Sequence, residues 1–197
     1  MITIYSYSEE QFMQRVQGIK TRVFAPLVAP LLRMGVTANG ISIFSAFVVC
    51  AGAVIGIVLS NEALFLLALW SHFLLDGIDG TLARAEGTTS ARGILMDVGA
   101  DSVGIIALSA VMVAFGNVSA ILGIIFCAGY LAVNAISVLL MQKGARYQFV
   151  IRPRIYIFVP LTADVIFAWQ TTYYFVVIAS VILVYFTIKG VQLLNRL

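Results

Sequence analysis

Six stretches of the chain, at about 39–60, 62–84, 92–115, 118–142, 153–169 and 172–194, approach the roughly 20 apolar residues needed to cross a hydrocarbon layer. Inside that layer water cannot serve the backbone, so each stretch is predicted to be a helix. Composition agrees, with 61% of residues apolar and only 11% charged. A water-soluble domain carries about a quarter. The expected fold is all-α, a polytopic membrane protein of six transmembrane helices. Turn-like breaks separate them at Ser60-Asn61-Glu62, Glu86-Gly87, Gly116-Asn117, Lys143-Gly144 and Gln170-Thr171. There is no internal repeat and no low-complexity run. One domain over 1–197 is expected, with an interfacial helix at 8–33 and a six-helix bundle at 39–194.

Charge placement sets the expected orientation. The basic residues are Arg15, Lys20, Arg22, Arg33, Arg84, Arg92, Lys143, Arg146, Arg152, Arg154, Lys189 and Arg196. With six spans they all fall in the N-terminal arm, loop 2–3, loop 4–5 or the C-terminal end. Cytoplasmic loops are enriched in Lys and Arg, so both termini are expected in the cytoplasm, in a cell inner or plasma membrane. This bias accounts for the basic balance without a nucleic-acid partner, which would need a basic face on a soluble module. No cleavable signal peptide is expected, because the first apolar run begins late and follows charged residues.

The arm before the spans has its own pattern. Ser8 and Gln11 resemble a capping box. Phe12, Val16, Ile19 and Val23 follow at helical spacing, interleaved with Arg15, Lys20 and Arg22. That pattern predicts an amphipathic helix at the membrane surface. Pro26 and Pro30 are expected to break it, and Asn39 to cap the first span. Cys50 and Cys127, without metal-like spacing, are expected to be small buried apolar residues, and Gly52 to Gly56 to mark close helix packing.

Against this background the passage from Asp76 to Gly104 stands out. Asp76 and Asp79 are three apart near one end of the second span, and Asp97 and Asp101 are four apart near the same end of the third. Either spacing places two side chains on one helix face. The connection between the spans is short, so the four carboxylates are expected to converge at one depth. Each buried charge costs about 2.5–3.5 kcal/mol in a membrane, and the mutual repulsion adds to that. A divalent cation relieves both, and carboxylate oxygens suit Mg2+, Mn2+ or Ca2+. Zinc is not expected, with a single His and no nearby Cys. Pairing of the acids with Arg84, Arg92 and loop 4–5 is the plain structural alternative. A cation or proton pathway lacks a matching relay of acids in the far half, where Asp164 falls at an expected helix end.

Gly77, Gly80, Gly93 and Gly99 stand among the acids with Ala83 and Ala100. Glycine costs a helix roughly 1 kcal/mol relative to alanine. Small side chains there leave room for a ligand, or else serve helix packing. A small-lined cavity holding cations suits a diphosphate. His72, one turn before Asp76, reads as a core histidine, and Asn134 as either an interhelix bond or a cavity residue.

The passage reads Asp76-x2-Asp79-Gly80-x2-Ala83-Arg84-x8-Gly93-x3-Asp97-x3-Asp101. It resembles the motif of the CDP-alcohol phosphotransferase family at every fixed position. "TANGIS", Thr37 to Ser42, resembles the family's Thr-Pro-Asn-x-x-Thr element, with Ala38 and Ser42 departing from it. The resemblance implies an enzyme of phospholipid biosynthesis that moves a phosphoryl-alcohol unit from a CDP-alcohol to an acceptor hydroxyl and releases CMP. It implies that Asp76, Asp79 and Asp97 hold Mg2+ or Mn2+, with Asp101 in reach. It implies that Asp101 is the base, that Gly80, Ala83 and Gly93 give room to the nucleotide beside Asp76 and Asp79, and that Arg84 supports the site.

Loop 4–5, "QKGARYQFVIRPR", gathers Lys143, Arg146, Arg152 and Arg154. The ordinary cytoplasmic bias and contact with anionic lipid heads are one reading of it. A pocket for an acceptor phosphate is the other, since Arg grips phosphate with paired donors. The segment loosely resembles that of the inositol-phosphate enzymes, with a shorter connection. The expected donor is CDP-diacylglycerol, and the expected acceptor a small polar alcohol such as inositol phosphate or glycerol 3-phosphate. Serine as acceptor, or a CDP-linked head group with a lipid acceptor, would use the same acids. A homodimer is the family-level expectation. A cation transporter is the rival from another class, and an intramembrane prenyltransferase would need a longer chain.

Overall fold

The computed structural model describes residues 7–87, 91–145 and 153–197, with backbone alone for residues 7–17, 20, 91, 92, 94 and 153–155. Seven helices run in order: α1 Tyr7–Arg33, α2 Ala38–Val58, α3 Glu62–Ala85, α4 Ala91–Ala114, α5 Ala120–Gln142, α6 Pro153–Phe167 and α7 Thr172–Leu194. No strand occurs among the described residues. α2, α3, α4, α5 and α7 contain the long apolar spans, and α6 contributes a shorter apolar stretch, Tyr156–Phe167. The fifth expected span, 153–169, therefore closes at Phe167 rather than 169, because Ala168 turns the backbone to φ 54.

The breaks read from the sequence close helices in the expected way. At Gly116 and Gly144 the backbone adopts φ 76 and 72. The N–H of the following residue then reaches back five positions, Asn117 to Met112 O at 2.8 Å and Ala145 to Leu140 O at 2.9 Å. This left-handed cap serves carbonyls that the helix end would leave unpaired, and glycine adopts it without a Cβ penalty.

α2 packs along both α3 and α4, α5 against α4 and α7, and α6 against α3 and α7. Lipid tails are as apolar as leucine, so close van der Waals packing through small residues does much of the joining. α2 and α3 meet in antiparallel register. Gly52 faces Ala68 so closely that an added Cβ would overlap the alanine's own. One turn on, a Cβ at Gly56 would come within 3.2 Å of Phe65 Cβ. The core runs through Val49, Phe65, Leu69, Leu108, Met112, Phe126, Leu140, Leu161 and Val176. Trp70, Phe73 and Phe158 form an edge-to-face trio, with centroids 5.9–6.2 Å apart, that holds α6 on α3. The Trp70 indole also donates to Thr162 Oγ1 at 3.0 Å.

Three local expectations are corrected. α1 continues through Pro26 and Pro30 to Arg33. The two prolines are four apart and exposed, while Val28 and Phe24 of the same helix pack against α3, so tertiary contact carries the helix past the lost backbone bonds. The cap of α2 is Thr37, whose hydroxyl accepts from the Gly40 N–H at 3.2 Å; Asn39 lies inside the helix. Cys50 is exposed rather than buried, because an apolar side chain on a span can face lipid. Ser8, Gln11, Phe12, Arg15, Val16 and Lys20 have side chains outside the described set, and Ile19 and Val23 are about 60% exposed.

Candidate functional site

The C-terminal half of α3 and the N-terminal half of α4 meet at one end of the bundle, where α2 begins. Asp76 and Asp79 point inward from α3, 9% and 6% exposed. Asp97 and Asp101 lie half-buried on α4. Asp76, Asp97 and Asp101 each bring a carboxylate oxygen to within 4.8 Å of the others. Asp79 stands outside that group of three. Its Oδ2 instead accepts from the Ser42 hydroxyl at 2.5 Å.

The donor set fits a hard divalent cation. It consists only of carboxylate oxygens, partly withdrawn from water, and three oxygens that close can meet on one ion at about 2.0–2.6 Å each. Held that close without a cation, three anions would repel strongly.

Other motif residues take positions around this group. Gly80 is open on its own side, the nearest atom to an added Cβ being Arg84 Nη1 at 3.6 Å. Ala83 packs against the cluster of Val28, Ala38, Ile41 and Leu82 that joins α1, α2 and α3. Gly93 is half-buried on α4. Arg84 donates to Thr81 Oγ1 at 3.1 Å and to Thr21 Oγ1 at 3.3 Å, so it ties α3 to α1. Gly99 has nothing within 4 Å of an added Cβ. Gly77 does not leave ligand space, because the Phe24 ring of α1 fills the place of its missing side chain. Lys143 is exposed at the end of α5. Arg146 and Arg152 lie outside the described residues, as do the side chains of Arg92 and Arg154.

Two hydroxyls took on roles not read in the sequence: Ser42, noted there only as a departure in the TANGIS element, and Ser45, not noted at all. Ser42 and Ser45 are three apart on α2, and Asp79 and His72 are seven apart on α3. The antiparallel register pairs them. Ser45 Oγ lies 2.5 Å from His72 Nδ1, with both residues almost wholly buried. Gly104 of α4 presses on the other ring nitrogen, where an added Cβ would lie 2.7 Å from Nε2. His72 is thus a core histidine wedged between α2 and α4. The available signal was a pair of hydroxyls at helical spacing in an otherwise apolar span. Asn134 of α5 resolves as an interhelix residue, donating to Ser102 Oγ of α4 at 3.4 Å.

Fold and site together define an integral membrane protein with a carboxylate cluster at one end of a helical bundle. The model of the CDP-alcohol phosphatidyltransferase family matches residues 35–190, and the chain belongs to that family. No curated protein and no solved structure matches it. The family makes it a transferase of phospholipid biosynthesis that acts on a CDP-alcohol and an alcohol acceptor in the membrane.

Proposed function

We propose that the protein transfers a phosphatidyl group from CDP-diacylglycerol to the hydroxyl of a small phosphorylated alcohol, inositol phosphate or glycerol 3-phosphate, and releases CMP. The observation that carries this reading is the convergence of Asp76, Asp97 and Asp101 within 4.8 Å, at the motif of a family that handles CDP-alcohols. In this reading Asp76, Asp79, Asp97 and Asp101 hold Mg2+ or Mn2+. When bound, the cation withdraws charge from the phosphates and from the departing CMP.

The chain's own groups supply the rest. Asp101 accepts the proton of the acceptor hydroxyl, which requires hydrogen-bond reach of the attacking oxygen. The new bond forms between that oxygen and the phosphorus carrying the diacylglycerol. The bond from that phosphorus to the CMP oxygen breaks, and its electron pair leaves with CMP. Gly80, Ala83 and Gly93 leave room for the nucleotide beside Asp76 and Asp79, and Arg84 fixes the local frame through Thr81 and Thr21. Lys143, Arg146, Arg152 and Arg154 take the acceptor phosphate, supported by their gathering in one loop next to the span ends. The site and both termini face the cytoplasm, supported by the one-sided distribution of the basic residues. The whole chain works as one domain, with α1 packed on α3 beside the acids. A homodimer belongs to the reading on the family resemblance alone.

The test is CMP release by purified protein given CDP-diacylglycerol, Mg2+ or Mn2+, and each of inositol phosphate, glycerol 3-phosphate and serine in turn. Release with a phosphorylated acceptor, abolished by a chelator, is expected. Release with serine alone would overturn the acceptor assignment. Metal movement across vesicles without CMP release would overturn the enzymatic reading.

A further inference from the structure

Ser42 is buried, 6% exposed, in the second turn of α2, and Asp79 facing it is equally buried. The serine oxygen lies 2.5 Å from Asp79 Oδ2 and 3.2 Å from the Ala38 carbonyl. A hydroxyl has one proton to give. The short contact is with the carboxylate, in the range of about 2.5–2.7 Å typical of a charge-assisted bond, so the proton is directed there. Asp79 is also the one motif carboxylate outside the close group of Asp76, Asp97 and Asp101. Its side chain is therefore held from α2, across the helix interface, together with the Gly80 N–H next to it, rather than by the other acids.

We propose that Ser42 is a positioning residue for metal binding. It holds Oδ2 of Asp79, sets the orientation of the carboxylate, and leaves Oδ1 as the oxygen with which Asp79 joins the cation. This rests on the reading of the four aspartates as metal ligands. Outer partners of ligating carboxylates matter because they select one orientation of the ligand, and their loss typically costs about 10–100-fold in metal affinity or activity. The effect arises on α2, outside the motif of α3 and α4.

The full-length protein in lipid nanodiscs tests this with Ser42→Thr and Ser42→Val, which share a shape and differ by the hydroxyl. The readout without substrate is melting temperature against Mn2+ concentration, compared with the value in chelator. The readout with substrate is the Mn2+ concentration that gives half-maximal CMP release. Wild type and Ser42→Thr are expected to share one Mn2+ midpoint, and Ser42→Val to require about tenfold more Mn2+ in both assays. Ser42→Ala replaces the valine variant if valine prevents folding. An unshifted midpoint in Ser42→Val overturns the proposal, even if its melting temperature in chelator is lower, since that would mark a merely structural hydroxyl. If wild type gains no stability from Mn2+, the metal reading of the aspartates fails and the proposal falls with it. A wild-type gain matched by Ser42→Val defeats the Ser42 proposal alone.

Discussion

The ring of Phe24 on α1 occupies the space beside Gly77 on α3, where an added Cβ would lie 2.5 Å from Cε2 and 2.9 Å from Cζ. Gly77 directly follows Asp76, so the N-terminal helix docks on the backbone that carries the site. Gly77→Val is predicted to push the ring away and cost about 1–3 kcal/mol, as overpacking usually does. Faster hydrogen exchange in α1 of Gly77→Val than in wild type would register the loosened docking. Unchanged exchange would mean that the contact does not hold α1.

Asp101 is half-buried on α4 and belongs to the close group with Asp76 and Asp97. Asp101→Asn keeps an oxygen but removes the proposed base. CMP release is predicted to fall by about 100-fold or more, the usual scale of general-base loss. Mn2+-dependent stabilisation is predicted to survive in large part. Full activity of the variant would move the base elsewhere.

At the opposite end of the bundle, Asp164 caps α7 from the last turn of α6. Its carboxylate accepts from the N–H groups of Thr171 and Thr172 at 2.9 and 2.7 Å, and from the Thr171 hydroxyl at 2.7 Å. Thr171, at the cap position, makes no side-chain cap bond of its own. Asp164→Ala is predicted to cost about 1–2 kcal/mol, the scale of losing a strong cap. Thermal unfolding would measure it, with Asp164→Asn falling between the two. Activity well below the melting point is predicted to stay near wild type, because the change lies at the far end from the acids.

His72, Ser45 and Gly104 form one wedge across three helices. Gly104→Ala is predicted to destabilise by about 1–3 kcal/mol, because the imidazole must shift and strain its bond to Ser45. In a His72→Ala background the same change should cost much less, and a double-mutant cycle reads the difference as coupling between the two sites. Additive effects would mean that the two residues do not oppose each other.

The spans were legible because membrane thickness sets their length, and α2 and α5 lie within a few residues of the expected 39–60 and 118–142. The carboxylates were legible because a charge in an oily segment is conspicuous and helical spacing places it on a face. What escaped was which face of each helix meets protein and which meets lipid. Both are apolar, so periodicity does not separate them: Cys50 was assigned to the wrong surroundings, and Gly77 was left between ligand space and the helix packing it serves. The roles of Ser42 and Ser45 escaped because their partners are contributed by another helix, at a register set by the packing that brings Gly52 onto Ala68 and Gly56 onto Phe65. Pro26 and Pro30 misled because local preference was overridden by the contacts of Phe24 and Val28.

The central claim is that Asp76, Asp79, Asp97 and Asp101 hold a divalent cation. Anomalous diffraction from crystals grown with Mn2+ tests it most directly. A manganese peak within about 2.0–2.6 Å of oxygens from Asp76, Asp97 and Asp101 is the predicted result. Crystals grown in saturating Mn2+ that show those carboxylates turned apart, with no peak between them, would contradict it.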